Sequence, residues 1–535
     1  MIKNIKWLLM ASLVIVSCNS DDEATVDPNS TDGTPLTAGS ADFSKYVALG
    51  DSFAAGFSDN ALFAEGQKNA YPNIIATQFA LVGGGEFTTP FMADNIGGFS
   101  SGGVQSPSYG VRLYFGKKID ATYNVPLSDF DEPLKVEGVS TTNISTILSG
   151  SYGNLGVPGA KCIHLVTPGY GSSFGNPYFA RFASSPSTTV IADAIAQDPT
   201  FFSLWIGGND VLGYALAGGD STLNPITPSS GGIGVGFDAS YNEIVSQLTA
   251  GGRKGVVANL PYITSLPQFT YLKPNLVDPF KYYFDGDENK LTRVVSAGDV
   301  ATINTINGIL GFLDQVLTAY GQGSRINILS TSVANPVLLK DDELTDYGAQ
   351  ITAAALNSGN PQLMALSGYL GVIFGKVRQS TTGDLIPLAV SSVIGTSAPL
   401  PPGVPADFGK YGITYPLEDR HVLIPSEIAE IITATDSYNE TIKNAADANG
   451  LAFVDAKTIM DQLSTTGIVA NNYTLTSAFV TGGMFSLDGI HPSPRGYALI
   501  ANEFLKAINA KYGSNFKGVN VGTYRILYPK NPDNF

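Results

Sequence analysis

Residues 46–52 read Tyr-Val-Ala-Leu-Gly-Asp-Ser, an apolar run that stops at a glycine and is followed at once by an acid and a serine. Such a run predicts a short buried strand, because consecutive apolar residues bounded by a turn residue suit a sheet that is covered on both faces. Open α/β sheets bind their ligands at the carboxyl ends of their strands. Ser52 is therefore a candidate nucleophile at the end of a first strand.

Strands and helices alternate along the chain beyond this point. Further strands are predicted over residues 201–206, 255–260, 326–329 and 451–454. Apolar residues at helical spacing predict helices over residues 189–197, 241–248, 303–317, 437–449 and 497–508. This alternation implies a parallel sheet with helices on both faces, so we expect a three-layer α/β/α fold.

Two long stretches interrupt the alternation. One runs from about residue 60 to 152 and the other from about 267 to 425. The second contains Pro-Leu-Pro-Pro-Gly-Val-Pro at 399–405, which neither a helix nor a central strand tolerates. We expect both to be insertions into one domain spanning 41–535, with a cap subdomain as the alternative for the second. Its loops are expected to shape a ligand pocket at the rim of the sheet.

The composition argues against several classes of function. The chain has 535 residues and a formal net charge of −16, so its field repels the phosphate backbone of nucleic acids. It contains three histidines, His164, His421 and His491, and two cysteines. These ligands are too few and too dispersed for a zinc site, and we expect neither a metal nor another cofactor.

The N-terminus has the pattern of an export signal. A short basic region precedes an apolar run at 7–16, which is too short to span a bilayer. The run ends in Ile15-Val16-Ser17-Cys18, which resembles a bacterial lipobox. We expect residues 1–17 to be removed and Cys18 to be lipidated. A conventional signal peptide with a coincidental cysteine, or a short membrane anchor, is the alternative.

Residues 18–40 lack apolar periodicity and are expected to form a flexible tether. Their acidic opening at 19–23, Asn-Ser-Asp-Asp-Glu, is similar to the export signals of Bacteroidetes surface lipoproteins. We therefore expect an outer-membrane lipoprotein of the bacterial cell envelope, anchored in either leaflet.

Four short motifs follow one another; the first and third come directly after a predicted strand, and the fourth lies just before the last helix. They are Gly50-Asp51-Ser52, Asn-Leu-Gly-Val-Pro-Gly-Ala at 154–160, Gly-Gly-Asn-Asp at 207–210 and Asp-Gly-Ile-His-Pro at 488–492. Each motif alone is an ordinary turn or cap. Their occurrence together, in this order, is what indicates a functional site.

These motifs contain what ester hydrolysis by a serine requires. The hydroxyl needs a neighbouring base, usually a histidine that a carboxylate orients, and Asp488 and His491 can share one turn of chain. Donors must also face the developing oxyanion, and each can be worth about 3–4 kcal/mol. The backbone N–H groups of Ser52 and Gly159 and the side-chain amide of Asn209 are the candidates.

In these four blocks the chain resembles the SGNH/GDSL hydrolase family, whose blocks carry Ser, Gly, Asn and His in this order, and it is similar to its Bacteroidetes outer-membrane lipoprotein members. The resemblance implies a flavodoxin-like α/β/α fold and a carboxylic ester hydrolase that works through an acyl-enzyme. It implies Ser52 as nucleophile, Asp488 and His491 as its acid–base partners, and Ser52, Gly159 and Asn209 as the oxyanion hole. The substrate would be a lipid, a short-chain acyl ester or an acetylated glycan.

Competing motifs lack the context that their chemistry needs. Residues 98–102 and 171–175 both fit Gly-x-Ser-x-Gly but lie in loops, without the strand and helix of a nucleophile elbow. The acidic run 285–289 resembles the start of a calcium loop, but Lys290 and Ser296 stand where a glycine and a glutamate are needed. We expect a solvated turn there, with a bound cation as the alternative.

Cys162, His164 and His421 are expected to be packing or surface residues. The alternative function is a surface lipoprotein that only binds glycans or lipids on a hydrolase-like fold. The joint presence of all the residues named for chemistry argues against it, because a binding protein does not need them.

Overall fold

A parallel sheet of five short strands forms the centre of the molecule. The computed structural model describes residues 34–117, 132–277, 280–284, 291–295 and 297–531. The central strands are β1 (Tyr46–Gly50), β2 (Asn154–Gly156), β3 (Phe201–Trp205), β4 (Lys254–Ala258) and β5 (Ala452–Val454). Nearly all of their residues are buried, and burial on both faces is why the longer strands are continuous apolar runs.

The strand order across this sheet is β2-β1-β3-β4-β5. Doubly wound α/β sheets have this order, with the first strand inside the sheet and later strands added on both sides. Gly50 pairs with Gly156 on one side and with Trp205 on the other. The carboxyl ends of β1, β2 and β3 therefore lie level with one another. The predicted α/β class with a parallel sheet is confirmed.

Helices connect and flank these strands. In the described part of the chain the α-helices are α1 (Ser52–Ala55), α2 (Ala64–Lys68), α3 (Tyr71–Ala80), α4 (Pro177–Ala180), α5 (Val190–Ile195), α6 (Asn209–Leu216), α7 (Phe237–Thr249), α8 (Pro267–Thr270), α9 (Ala297–Ala319), α10 (Gly348–Leu356), α11 (Pro361–Phe374), α12 (Pro425–Ala448), α13 (Ala456–Thr465) and α14 (Pro494–Tyr512). Short 3₁₀ helices span Cys162–Val166, Ala250–Gly252, Ile263–Ser265, Leu388–Ser392, Ala406–Phe408, Asp419–His421 and Val521–Thr523. Antiparallel hairpins pair Ser100–Ser101 with Val104–Gln105, Leu113–Gly116 with Glu132–Lys135, Phe280–Phe284 with Leu291–Val295, Leu338–Lys340 with Val377–Gln379, and Ile468–Ala470 with Tyr473–Leu475.

The final helix, α14, shows how the sequence sets these boundaries. The Ser493 side chain accepts a hydrogen bond from the backbone N–H of Gly496, Pro494 begins the helix, and Gly513 ends it with φ +72°. One group of helices pairs α14 with α3, and another pairs α12 with α7; α12 and α14 both contact β4 and β5. This packing is consistent with the three-layer arrangement that the sequence predicts.

The strand predicted over 326–329 is wrong. Leu329 is buried in a core of the second insertion, and its backbone N–H donates to Asn307 Oδ1 at 2.7 Å. The backbone N–H of Asn327 donates to Gln379 Oε1 at 3.1 Å. Side chains thus satisfy the backbone groups that a neighbouring strand would otherwise satisfy.

The second insertion has hydrophobic cores of its own. One lies among α9, α10 and α11, and the other includes Val337, Leu339 and Leu417. Separate hydrophobic cores are typical of a subdomain, the alternative that the sequence left open for this insertion. One helix of the described residues, Val300–Ala319 within α9, is long and apolar enough to cross a membrane by length and composition. Its buried residues pack into the first of these cores: Ile303, Ile306, Ile309, Leu310, Leu313, Val316 and Leu317.

Some predicted features lie outside the described residues. They are the signal at 1–17, the lipidated Cys18, most of the tether and the acidic run at 285–289. The last part of the tether is described, and the backbone N–H of Ser40 donates to the Tyr512 carbonyl at 2.8 Å. This bond attaches the start of the domain to the end of α14.

Candidate active site

Ser52 is the first residue of α1, two residues beyond the end of β1. The side chain of Asp51 accepts a hydrogen bond from the backbone N–H of Phe53 at 3.0 Å and so caps the helix. Gly56 ends the helix in the left-handed region, with φ +84°. This short turn holds the Ser52 hydroxyl at the carboxyl edge of the sheet, where the residue is 7% exposed.

His491 lies beside Ser52, although 439 residues separate them in sequence. Its Nε2 is 2.8 Å from Ser52 Oγ, and its Nδ1 is 2.8 Å from Asp488 Oδ2. An ionised carboxylate only accepts hydrogen bonds, so Nδ1 carries the proton and Nε2 is left to accept from the Ser52 hydroxyl. The three residues predicted as nucleophile, base and acid are thus joined in one chain of hydrogen bonds.

The turn that carries Asp488 and His491 is fixed by its own backbone. Asp488 Oδ1 accepts from the backbone N–H groups of Ile490 at 2.9 Å and His491 at 2.8 Å. Gly489 has φ +69°, and a Cβ there would lie 2.8 Å from the Gln268 backbone nitrogen, which donates to the Gly489 carbonyl. The first helix of the second insertion, α8, therefore packs directly on this turn.

The charge of Asp488 follows from these contacts. Burial acts to raise the pKa of its carboxyl, but the adjacent His491 and the hydrogen bonds that the carboxylate accepts outweigh burial and lower this pKa to about 2. The group is therefore ionised at neutral pH. An ionised carboxylate orients the imidazole and stabilises the imidazolium that forms when the base takes a proton.

Residues at the start of the first insertion and Ser486 support Asp488, and the sequence analysis did not single them out. The backbone N–H of Asn60 donates to Asp488 Oδ2 at 2.9 Å, and the Ser486 hydroxyl donates to Oδ1 at 3.1 Å. Asp59 in turn accepts from the backbone N–H of Leu487 at 2.9 Å. Asp59 and Asn60 have φ +49° and +65°, a region that Asp and Asn tolerate well. The consecutive Asp-Asn pair is the sequence signal that could have indicated this turn.

Asp59 is a second buried carboxyl close to the first. Burial raises its pKa to about 7, and the charge of Asp488 adds to this rise while Arg112 opposes it. Among the described residues its Oδ2 has no hydrogen-bond partner. The Asp59 carboxyl therefore changes its charge near neutral pH, close to the Asp488 carboxylate.

Two aromatic rings pack against the imidazole. The ring of Phe57 lies 4.6 Å from that of His491, centroid to centroid, and the ring of Phe53 lies 5.5 Å away. Both phenylalanines are half-buried. Their rings shield part of the imidazole from water while Nε2 remains directed at Ser52.

The other residues predicted as oxyanion donors follow the strands on either side of β1. Gly159 lies beyond β2 with φ +79°, which glycine adopts readily, and Asn209 begins α6 beyond β3. Asn209 Nδ2 donates to the Ala160 carbonyl at 3.0 Å and so ties the two loops together. In the described chain no acceptor is found for the backbone N–H of Ser52 or Gly159. Both groups can therefore donate to a ligand.

Buried polar contacts anchor the loop that carries Gly159. Asp210 is fully buried, burial raises its pKa to about 7, and its Oδ2 accepts from the backbone N–H of Cys162 at 2.8 Å. Asn176 Nδ2 donates to the Pro158 carbonyl at 2.8 Å. Cys162 is buried, as predicted.

The competing serines and histidines lie in other surroundings. The Ser100 hydroxyl donates to a backbone carbonyl, and Ser173 is exposed in a turn. His164 and His421 are half-buried, and each accepts a backbone N–H from three residues earlier through Nδ1. Burial lowers the pKa of both imidazoles. In the part of the chain that the structure describes, neither serine is hydrogen-bonded to a histidine.

A cavity opens beside Ser52 and Asn209. It contains about 920 Å³ of empty space, part of it open to solvent. No described residue between 267 and 425 lines this cavity, so a role of the second insertion in shaping the acyl or alcohol pocket stays a prediction. The chain leaves the cavity wall at Leu266, immediately before the insertion begins.

Comparison of the chain with models of protein families, with curated proteins and with solved structures found no match. The chemistry of the site therefore rests on its own geometry: a hydrogen-bonded serine, histidine and aspartate with amide donors close by, at the mouth of a cavity.

Proposed function

We propose that this protein is a serine esterase of the SGNH/GDSL hydrolase type, which hydrolyses carboxylic esters through an acyl-enzyme on Ser52. The observation that carries the proposal is the unbroken chain from Ser52 Oγ through His491 to Asp488, with 2.8 Å at each step. A serine hydroxyl becomes a useful nucleophile when a base is this close and is itself oriented by an acid. The strand order, which flavodoxin-like sheets share, supports the proposed fold.

Acylation would begin when Ser52 Oγ attacks the ester carbonyl carbon and its proton passes to His491 Nε2. The carbonyl oxygen becomes an oxyanion, which can accept from the backbone N–H groups of Ser52 and Gly159 and from the amide of Asn209. As the carbon–oxygen bond to the alcohol breaks, the imidazolium returns the proton to the leaving oxygen. The acyl group then remains on Ser52.

Deacylation would use the same groups in reverse. A water molecule gives its proton to His491 Nε2 as its oxygen attacks the acyl carbon, and the same donors receive the oxyanion. The bond to Ser52 Oγ then breaks, and Oγ recovers the proton from the imidazolium. Asp488 stays ionised throughout and stabilises the imidazolium at each step. The reaction needs no cofactor.

The N-terminal pattern supports an envelope location for this activity. Anchoring through Cys18 would hold the domain at the outer membrane on the tether of residues 18–40. Esters of lipids, of short-chain acids or of acetylated glycans would then be the substrates within reach.

A fluorophosphonate probe tests the proposal, because it reacts only with a serine that a base activates. The purified protein should take up the probe and hydrolyse a p-nitrophenyl ester, and Ser52→Ala should lose both activities while its free energy of unfolding stays near that of the wild type. The matched control is Ser173→Ala, which removes an exposed serine from a competing motif and should leave both activities intact.

A surface lipoprotein that only binds glycans or lipids would give the opposite result. It would take up no probe and hydrolyse no ester, whatever residue stands at position 52. Labelling at Ser100 or Ser173 would refute the assignment of Ser52 as nucleophile.

A further inference from the structure

The cavity beside Ser52 follows the carboxyl edge of the sheet. Ser52 lies beyond β1, Asn209 beyond β3, Leu260 beyond β4 and Ala456 beyond β5, and all four line it. Since the strands neighbour one another in the order β1-β3-β4-β5, the cavity passes four strand ends in succession. It therefore runs away from the nucleophile toward the edge strand and α13.

The walls of this cavity are apolar beyond the catalytic end. Buried side chains line it there, including Ile263, Leu266, Met460, Leu463 and Phe504. Among the described lining residues the charged group away from Ser52 is Glu503, which pairs with Lys506 at 2.6 Å. A sugar would leave its hydroxyl groups without partners here, and unpaired polar groups are costly to bury.

The position of His491 indicates which half of an ester enters the cavity. His491 must protonate the leaving alcohol, yet it is not among the cavity-lining residues, whereas Ser52 and Asn209 are. The alcohol would therefore depart on the side of the imidazole. The acyl chain, attached to the carbon that Ser52 attacks, extends into the cavity.

The strand spacing sets the length of chain that fits. Neighbouring strands lie about 4.8 Å apart, so the three steps from β1 to β5 cover about 14 Å. Carbon–carbon bonds of about 1.5 Å advance an extended zigzag chain by about 1.3 Å each, so this path matches a chain of about ten carbons.

We propose that this cavity is an acyl-binding pocket and that the protein hydrolyses esters of unbranched fatty acids of about ten carbons, with the chain lying along the strand ends from Ser52 to α13. This inference rests on the proposed function. It assigns the substrate class and leaves the chemistry unchanged.

A pair of isomeric esters tests which half of the ester enters the cavity. Ethyl decanoate and decyl acetate have the same composition and the same number of carbons, but the long chain is on the acyl side in the first and on the alcohol side in the second. Ethyl decanoate should show the higher kcat/KM by more than about tenfold, because each buried methylene group is worth roughly fourfold. Equal rates, or faster hydrolysis of decyl acetate, would overturn the proposal.

Substitution of the far wall tests the position of the chain. Ala456→Leu places extra volume in the cavity beyond β5, and the ratio of kcat/KM for p-nitrophenyl decanoate to that for the acetate should fall by roughly tenfold or more. The matched control is Ala507→Leu, which makes the same change at a half-buried position of α14 outside the cavity and should leave the ratio unchanged. If Ala456→Leu fails to fold, Met460→Ala enlarges the same end and should move the preferred chain length upward.

The possible outcomes separate this proposal from the proposed function. If Ser52 takes up the fluorophosphonate probe and acetate is hydrolysed, but the chain-length profile is flat in every variant, the acyl pocket is refuted and the esterase stands. If no ester is hydrolysed and no probe is taken up, the proposed function fails and the acyl pocket fails with it.

Discussion

Replacing Asp488 with asparagine should reduce ester hydrolysis on the order of 10⁴-fold, because the change puts the proton of His491 on the wrong nitrogen. Asp488 Oδ2 accepts from His491 Nδ1 at 2.8 Å and from the backbone N–H of Asn60 at 2.9 Å. The other carboxylate oxygen, Oδ1, accepts three hydrogen bonds, from the Ser486 hydroxyl and from two backbone N–H groups.

An asparagine has one amide oxygen and one amide nitrogen to place at these two positions. The oxygen keeps more hydrogen bonds at the Oδ1 position, so the amide nitrogen faces His491 Nδ1 and the Asn60 N–H. Because the amide nitrogen donates, Nδ1 must accept, and the imidazole proton moves to Nε2. Ser52 then has no base, and a 10⁴-fold loss corresponds to about 5 kcal/mol of activation free energy.

The same substitution should lower the free energy of unfolding. An amide N–H₂ facing the Asn60 N–H loses that hydrogen bond, which costs about 0.5–1.5 kcal/mol because the Asn60 N–H is exposed to water. The lowered pKa of Asp488, about 2, means that the stability the wild-type carboxylate contributes is complete above its unfolded pKa and is lost as the pH falls through about 2.

Three measurements check this reasoning: kcat/KM for a p-nitrophenyl ester, the rate of fluorophosphonate labelling, and denaturant unfolding. The matched control is Asp455→Asn, which replaces another carboxylate at the same edge of the sheet, one that accepts from Asn259 and Thr458. It should change kcat/KM little. An Asp488→Asn enzyme with kcat/KM within roughly tenfold of the wild type would show that the tautomer argument is mistaken.

Asn209→Ala should lower kcat on the order of a hundredfold or more and leave KM nearly unchanged, since an oxyanion donor acts mainly in the transition state. A near-normal kcat in steady-state kinetics would show that the Asn209 amide only holds the Ala160 carbonyl in place. Asp59→Asn should flatten the pH dependence of stability. Because the pKa of Asp59 is raised to about 7, the free energy of unfolding of the wild type should fall by up to about 4 kcal/mol as the pH rises from about 4 to 7. An asparagine can still accept the hydrogen bond from the Leu487 N–H but has no charge to bury. Denaturant titrations at about pH 5 and about pH 8 measure the free energy of unfolding at each pH, and an equal change between the two pH values in both proteins would contradict this prediction. Cys18→Ser should move the protein from the membrane fraction to the soluble fraction and abolish labelling by a clickable fatty acid; label that survives would refute the lipobox interpretation.

The sequence alone predicted the parts of the sheet that are long and apolar. β1, β3 and β4 are such runs, and β1 and β3 each lead into a turn motif that the sequence analysis singled out. β2 was not predicted as a strand, because Asn154–Gly156 is three residues long and has poor strand formers at both ends. Tertiary contacts stabilise it: Asn154 Nδ2 donates to the Ala54 carbonyl at 2.9 Å.

The residues around the candidate site were harder to predict, for the same physical reason. Ser486 meets Asp59, and Asn60 meets Asp488, across more than four hundred residues of chain. No local pattern encodes such contacts. The cavity is also non-local, since four strand ends and the helices α1, α6, α13 and α14 contribute to it. Its apolar residues, such as Met460 and Leu463 on α13, are indistinguishable in sequence from ordinary core residues.

The placement of Ser52 near one end of the chain and His491 near the other has a consequence for biosynthesis. A chain that is synthesised from its N-terminus delivers Ser52 early, whereas His491 follows 439 residues later. Until α14 docks against the sheet, Ser52 has no partner to remove its proton. An esterase built this way would be inactive as a nascent or partly translocated polypeptide. Ester hydrolysis would begin only once the whole domain has folded.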